Sequence, residues 1–261
     1  MARVAALLLL LQFSLGGLVP AGALEIVDEA RVVEVIDGDT LVLSNGAEVR
    51  LVGTQAPKIA LGRKDFHDWP LGAEAKALLE ELALKQTVGL AYGGRRTDRH
   101  GRALAQLYRA DGLWLEGEMV GRGFARVYGF DDNRALLPEL LERERAARAA
   151  RLGLWADPYY AIRSPLGLER DLGLLVDSFQ LVEGRVFAAK IVGGRCYLNF
   201  GSDRHKDLTA VLQPETVALF EREGLDPEGY AGRLVRLRGW VESYDGPMIE
   251  VTHPEQIEVL E

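Results

Sequence analysis

Short runs of β-prone residues, each closed by turn formers, recur along this chain and restrict it to small, strongly bent sheets. Segments 30–36, 40–43 and 48–52 are three such runs. Ser44-Asn45-Gly46, between the last two, is a tight-hairpin signature, because asparagine and glycine accept positive φ. Segment 71–84 changes period: Ala75, Leu78, Leu79 and Leu82 recur at helical spacing. Strands are predicted again over 87–92 and 103–108, flanking a 93–102 loop. Helices follow over 115–123 and 135–152, the second stopping at Gly153. The pattern reads as a short-stranded barrel capped by helices.

Residues 158–176 open on a stretch without clear period, bracketed by Pro158 and Pro165, and read as a linker. A second β pattern fills 177–261. It comprises a strand over 179–191, a Gly193-Gly194 turn, and strands over 196–200 and 209–213. A helix over 215–223 is opened by Pro214, where proline is tolerated. Strands over 234–241 and 248–251 flank Asp245-Gly246. Three strands, a helix and two strands is the order of an OB-type barrel. The two halves show no obvious sequence repeat.

At the N-terminus, Arg3 precedes an apolar run over 4–19, and Ala21-Gly22-Ala23 follows as an A-x-A cleavage site. That order is a secretory signal peptide over residues 1–23, cleaved after Ala23. The run is shorter than the ~20 residues of a spanning helix. No later segment reaches that length, so the expectation is a secreted or periplasmic chain with no stable membrane insertion after cleavage. Cys196 is the only cysteine, which excludes an internal disulfide and a cysteine-rich zinc site. Residues 24–165 carry 20 Lys and Arg against 22 Asp and Glu, and residues 166–261 carry 10 against 17. Neither half has the basic excess of a protein relying on nonspecific phosphate attraction.

Asp37-Gly38-Asp39-Thr40, Arg50-Leu51-Val52-Gly53 and the 96–102 segment Arg-Thr-Asp-Arg-His-Gly-Arg occur in that order. This series, D-G-D-T, R-L-x-G and R-T-D-x-x-G-R, resembles the active-site segments of the thermonuclease (staphylococcal nuclease-like) family over residues 28–157. The order of predicted elements is that of the family's OB-type barrel, and Gly153-Leu154-Trp155 resembles a G-x-W near its end. The fold class expected is mainly β with α. A thermonuclease-like domain occupies 24–157, and a second, OB-like β-barrel occupies 177–261.

In the resembled family two arginines bind the reacting phosphate, and carboxylates and a backbone carbonyl hold calcium. The resemblance gives the arginine roles to Arg50 and Arg102. A guanidinium suits them because its planar fork donates paired hydrogen bonds and keeps its charge. Asp39 matches the first calcium carboxylate, with Asp37 as a supporting or water-mediated partner. Taken alone, Asp37-Gly38-Asp39 reads simply as a turn.

Two positions depart from the family pattern. Gln55 stands where the second calcium carboxylate is usual, and Lys58 stands where the family's glutamate base is usual. Hard cations are selected by ligand charge, so calcium is expected to bind weakly or be lost. An ammonium cannot accept a proton; a lysine acts as base only when burial or adjacent cations depress its pKa. Asp65, His67 and Asp68 lie in the following insertion, either as a replacement carboxylate or as a solvated loop.

His100 reads as a phosphate contact or as turn packing, and Tyr128 and Phe130 lie near the family's base-stacking aromatic. The arginines at 143, 145, 148 and 151 read as the solvated face of a helix, with i,i+4 pairs Glu139–Arg143 and Glu144–Arg148. Tyr197, Phe200, Trp240 and Tyr244 read as core and surface aromatics more than as a ligand face. Three functions compete. The chain is an exported protein binding single-stranded nucleic acid or nucleotides at a degenerate site, an active calcium-dependent nuclease with a substituted base, or a noncatalytic envelope module whose barrels bind an unidentified protein or glycan partner.

Overall fold

The computed structural model describes residues 24–203 and 205–261, so the expected signal segment 1–23 lies outside the described residues. Strands β1 (Ile26–Asp37), β2 (Thr40–Leu43) and β3 (Glu48–Leu51) form the predicted meander. Gly46, at φ +83°, turns β2 into β3. The short β4 (Thr54–Gln55) leads to helix α1 (Gly72–Ala83), then β5 (Thr87–Ala91), β6 (Ala103–Arg109), α2 (Leu115–Gly121), β7 (Arg126–Val127) and α3 (Leu137–Ala149). The barrel closes in the order β1-β2-β3-β6-β5, with β3 and β6 parallel. Val32, Leu41, Leu51, Leu107 and the inner face of α1 fill its core.

The 158–176 segment is a folded connection rather than a free tether. It carries helices α4 (Pro165–Arg170) and α5 (Leu172–Leu175), and Leu168 and Leu175 sink into the core of the second barrel. Its irregular sequence hid this because helices this short have no readable period.

Strands β8 (Phe179–Arg185), β9 (Ala188–Val192), β10 (Arg195–Asn199) and β11 (Thr209–Leu212) precede α6 (Pro214–Arg222). Strands β12 (Leu234–Ser243), β13 (Pro247–Val251) and β14 (Ile257–Val259) follow it. The strand expected over 179–191 is broken in two. Val186 N–H still bonds to Arg233 O beside β12, whereas Phe187 N–H bonds to Asn199 O of β10. At that step the chain changes neighbours, so β8 pairs with β12 and β9 with β10. With β11 and β13 parallel, the connectivity repeats that of the first barrel.

The arginine-rich segment is only partly the solvated face its sequence suggests: Arg143, Arg145 and Arg151 are exposed, but the Glu144 and Arg148 side of α3 turns inward. Glu144 is fully buried and joins Arg148 at 2.6 Å and Arg238 of β12 at 2.8 Å. Glu258 of β14 completes the cluster, 2.5 Å from Arg238 and 3.1 Å from Arg148. Nearby, Arg134 is held by Glu223 at 2.5 Å and by Glu255 at 2.7 Å. Glu223, Glu255 and Glu258 of the second half therefore answer arginines of the first.

Candidate functional site

The site begins at the turn between β1 and β2. Asp37-Gly38-Asp39 is indeed a turn: Asp39 N–H donates to Asp37 Oδ1 at 3.1 Å, and Asp37 pairs with Thr40 across the hairpin. It is also more than a turn, because both carboxylates face inward; Asp37 is buried and Asp39 has no solvent exposure. Gly38 allows the close approach beneath them. A Cβ there would lie 2.7 Å from the Cβ of Ala56 and 2.8 Å from that of Ala75.

Lys58 supplies the charge that this pair requires. Its Nζ donates to Asp39 Oδ1 at 2.7 Å, to Asp39 Oδ2 at 2.8 Å and to Asp37 Oδ2 at 3.2 Å. Ala56 N–H and the Thr40 hydroxyl also donate to Asp39, at 2.8 and 3.1 Å. Burial alone would raise the Asp39 carboxyl, but the Lys58 ammonium and the Arg50 guanidinium outweigh it and hold the group well below its ordinary range. Asp37 moves the other way: burial and the neighbouring Asp39 charge raise it more than Lys58 lowers it.

Arg50 lies in β3, and Arg102 ends the loop that leads directly into β6, the parallel neighbour of β3. Arg50 stands opposite Leu104 in the β3–β6 register, so Arg102, two residues earlier, belongs to the same face. Arg50 donates to Thr54 O at 3.3 Å, and its guanidinium carbon lies 5.9 Å from the Tyr128 ring centroid. Asp98 organises the other side. It accepts from the backbone N–H of His100 and Arg102, and it grips Arg102 at Nε (2.8 Å) and Nη2 (2.7 Å). His100 is exposed, and its Nε2 accepts from Arg99 Nε at 3.1 Å.

Gln55 does not join the carboxylates. Its Oε1 accepts from Arg126 Nη2 at 2.6 Å, and Arg126 Nη1 donates to Phe179 O of the second barrel at 3.1 Å. Arg126 is buried, and desolvation pulls it down to about 10. No local pattern in the sequence marked this residue, because its partners lie in β4 and β8. Asp65, His67 and Asp68 sit on an exposed loop, and Asp68 closes that loop on itself by accepting from Ala60 N–H at 2.6 Å. The solvated-loop reading holds for all three.

Calcium does not suit this arrangement. The Asp37–Asp39 pair already holds an ammonium, and the Gln55 oxygen is turned to a guanidinium. Among the described residues no group of three or more His, Cys, Asp or Glu side chains is placed to hold a metal. Lys58 acts here as a donor: all three of its hydrogen bonds fall on carboxylate oxygens.

Tyr128 lies at the seam between the barrels. It packs edge-on against Phe130 and Phe179, and its hydroxyl accepts from Trp240 Nε1 at 2.9 Å. Of the four aromatics considered in the second half, Trp240 reaches the first barrel in this way, while Phe200 packs against the second core and Tyr244 is exposed.

Known proteins resemble this first barrel in sequence. The family described as Staphylococcal nuclease homologue matches residues 48–157. An uncharacterized endonuclease of Escherichia coli O157:H7 is 34% identical over 130 residues, covering 49% of this chain and 76% of that protein. Protein ParB of Escherichia coli is 34% identical over 140 residues, covering 49% and 73%. A probable staphylococcal-like nuclease of Oryza sativa subsp. japonica is 35% identical over 116 residues, covering 44% and 30%. The family match contains Arg50 and the 96–102 loop and leaves the second barrel outside it. On its matched sequence and its closed five-stranded barrel, this chain belongs to the staphylococcal nuclease homologue family.

Proposed function

We propose that this chain is an exported member of the family that binds nucleotide or single-stranded nucleic-acid phosphates through Arg50 and Arg102, and that it hydrolyses phosphodiesters weakly or not at all. The observation that carries the reading is the seating of Lys58 against Asp37 and Asp39. Cleaving a phosphodiester needs positive groups on the phosphorus oxygens and an activated water. The guanidiniums meet the first need: Asp98 occupies Nε and Nη2 of Arg102 and leaves Nη1 for an oxygen of the ligand. Position 58 offers neither a proton acceptor nor an open metal site, so the second need is unmet. Export rests on the order of Arg3, the apolar run and Ala21-Gly22-Ala23.

The endonuclease and nuclease names of the relatives favour a second reading, an active nuclease. One experiment separates the two. Labelled single-stranded DNA and RNA are incubated with the purified mature chain in calcium or in chelator, and both binding and cleavage are followed. Binding without cleavage is the expected outcome; calcium-dependent cleavage at nuclease rates would replace this reading with the second.

A further inference from the structure

We infer that Lys58 is the resident cation of this site: a tethered ammonium holds Asp37 and Asp39 permanently, and a divalent ion gains access only when that ammonium is removed. The inference rests on the site assignment just given and deepens it, because it states how the carboxylate pocket beside the arginines is neutralised.

An ammonium has three hydrogens. Each of the three contacts made by Lys58 falls on a different carboxylate oxygen, two of Asp39 and one of Asp37. That geometry resembles the shell of a small cation: several oxygens converge on one positive centre, slightly farther away than the ~2.3–2.6 Å of a calcium–oxygen contact. The remaining capacity of the pair is largely engaged. Asp39 also accepts from Ala56 N–H and the Thr40 hydroxyl, and Asp37 Oδ1 accepts from Asp39 N–H.

The backbone fixes the stem of this lysine. Lys58 O accepts from Trp69 N–H at 2.8 Å, and a Cβ on Gly72 would lie 3.4 Å from that same oxygen. A cation held by a clamped backbone competes at a high effective concentration, as any intramolecular ligand does. A divalent ion in the same place would have to displace the ammonium or accept its repulsion at close range. Gln55, committed to Arg126, offers no compensating oxygen.

The test measures calcium binding directly, by isothermal calorimetry and by the shift in melting temperature on adding calcium. Wild type, Asp39→Asn, Lys58→Ala and Lys58→Ala/Asp39→Asn are compared at matched ionic strength. Wild type should show no saturable calcium heat and no calcium-dependent rise in melting temperature. Lys58→Ala should bind calcium at a single site and melt higher when it is present, and the double variant should lose both effects. A Lys58→Ala chain that folds only when calcium is supplied supports the inference equally. Saturable calcium binding by wild type that Asp39→Asn abolishes would overturn it, as would a folded Lys58→Ala chain indifferent to calcium. Fluorescence anisotropy of a labelled single-stranded oligonucleotide is read in parallel. If wild type fails to bind it while the calcium pattern holds, the phosphate-site reading fails and the resident cation stands.

Discussion

Arg238 donates from Nη2 to Glu144 Oε2 at 2.8 Å across the seam between the two barrels, and neither side chain is exposed to water. The same guanidinium reaches Glu258 Oε1 at 2.5 Å and Val127 O at 3.2 Å, so it ties α3, β7, β12 and β14 together. Removing one member of such a cluster leaves uncompensated buried charge. Arg238→Ala is expected to lose ~3–5 kcal/mol of stability. Wild type should unfold in one cooperative denaturant transition followed by fluorescence and circular dichroism, and the variant should unfold with its barrels uncoupled. Coincident, unshifted transitions in the variant would show that the cluster does not join the barrels.

Gly38→Ala probes the close approach under the carboxylate turn. The added methyl meets the Cβ atoms of Ala56 and Ala75 at 2.7 and 2.8 Å, both fixed to backbone. Overpacking of this kind typically destabilises by ~1–3 kcal/mol. Chemical denaturation should record that loss.

Arg102→Ala and Arg50→Ala should each weaken oligonucleotide binding by ~1.5–3 kcal/mol, the range for hydrogen bonds to charged groups. Binding should also become less sensitive to salt, since each substitution removes a phosphate contact. Anisotropy titrations at several ionic strengths provide the measurement. Equal binding by wild type and Arg102→Ala would remove this face from consideration.

Glu116 gives the protein a built-in pH dependence. Burial pushes its carboxyl up to about 8, although it accepts from Leu107 N–H. In the unfolded chain the group ionises near its ordinary 4.5, whereas in the folded protein it keeps its proton to higher pH. The unfolded state therefore binds fewer protons between those values, and stability falls as pH rises through the window. Glu116→Gln retains an acceptor and removes the titration. Its melting temperature should gain steadily on that of wild type from pH 5 to pH 8 in calorimetric scans, and parallel curves would refute the assignment.

The proposed export makes a simpler prediction. Mass spectrometry of the protein from its native host should find a chain beginning at Leu24, because the A-x-A site ends at Ala23. An intact Met1 terminus would contradict it.

The strands and helices around the site were legible because their signals are local. Asn45-Gly46 turns a hairpin wherever it sits between β-prone runs, and Ala75, Leu78, Leu79 and Leu82 mark one helix face without reference to anything distant. The motif series also singled out Asp37, Asp39, Arg50 and Arg102 as candidates, since each lies in a short segment whose order along the chain can be read. Asp98 stood inside that series, but its grip on Arg102 became visible only with the loop folded.

Sequence alone thus determined the order of elements, the barrel class and the residue types available to the site. Tertiary structure decided their partners. Lys58 meets Asp39 across 19 positions, Arg126 meets Gln55 across 71, and Arg238 meets Glu144 across 94. The Glu144–Arg148 pair illustrates the difference most directly. Its i,i+4 spacing is correct on any helix, but whether that helix face meets water or a second barrel depends on chain 94 residues away. Electrostatic pairing acts through space and not along the chain, so the sequence named the charges and only the fold determined which of them neutralise one another.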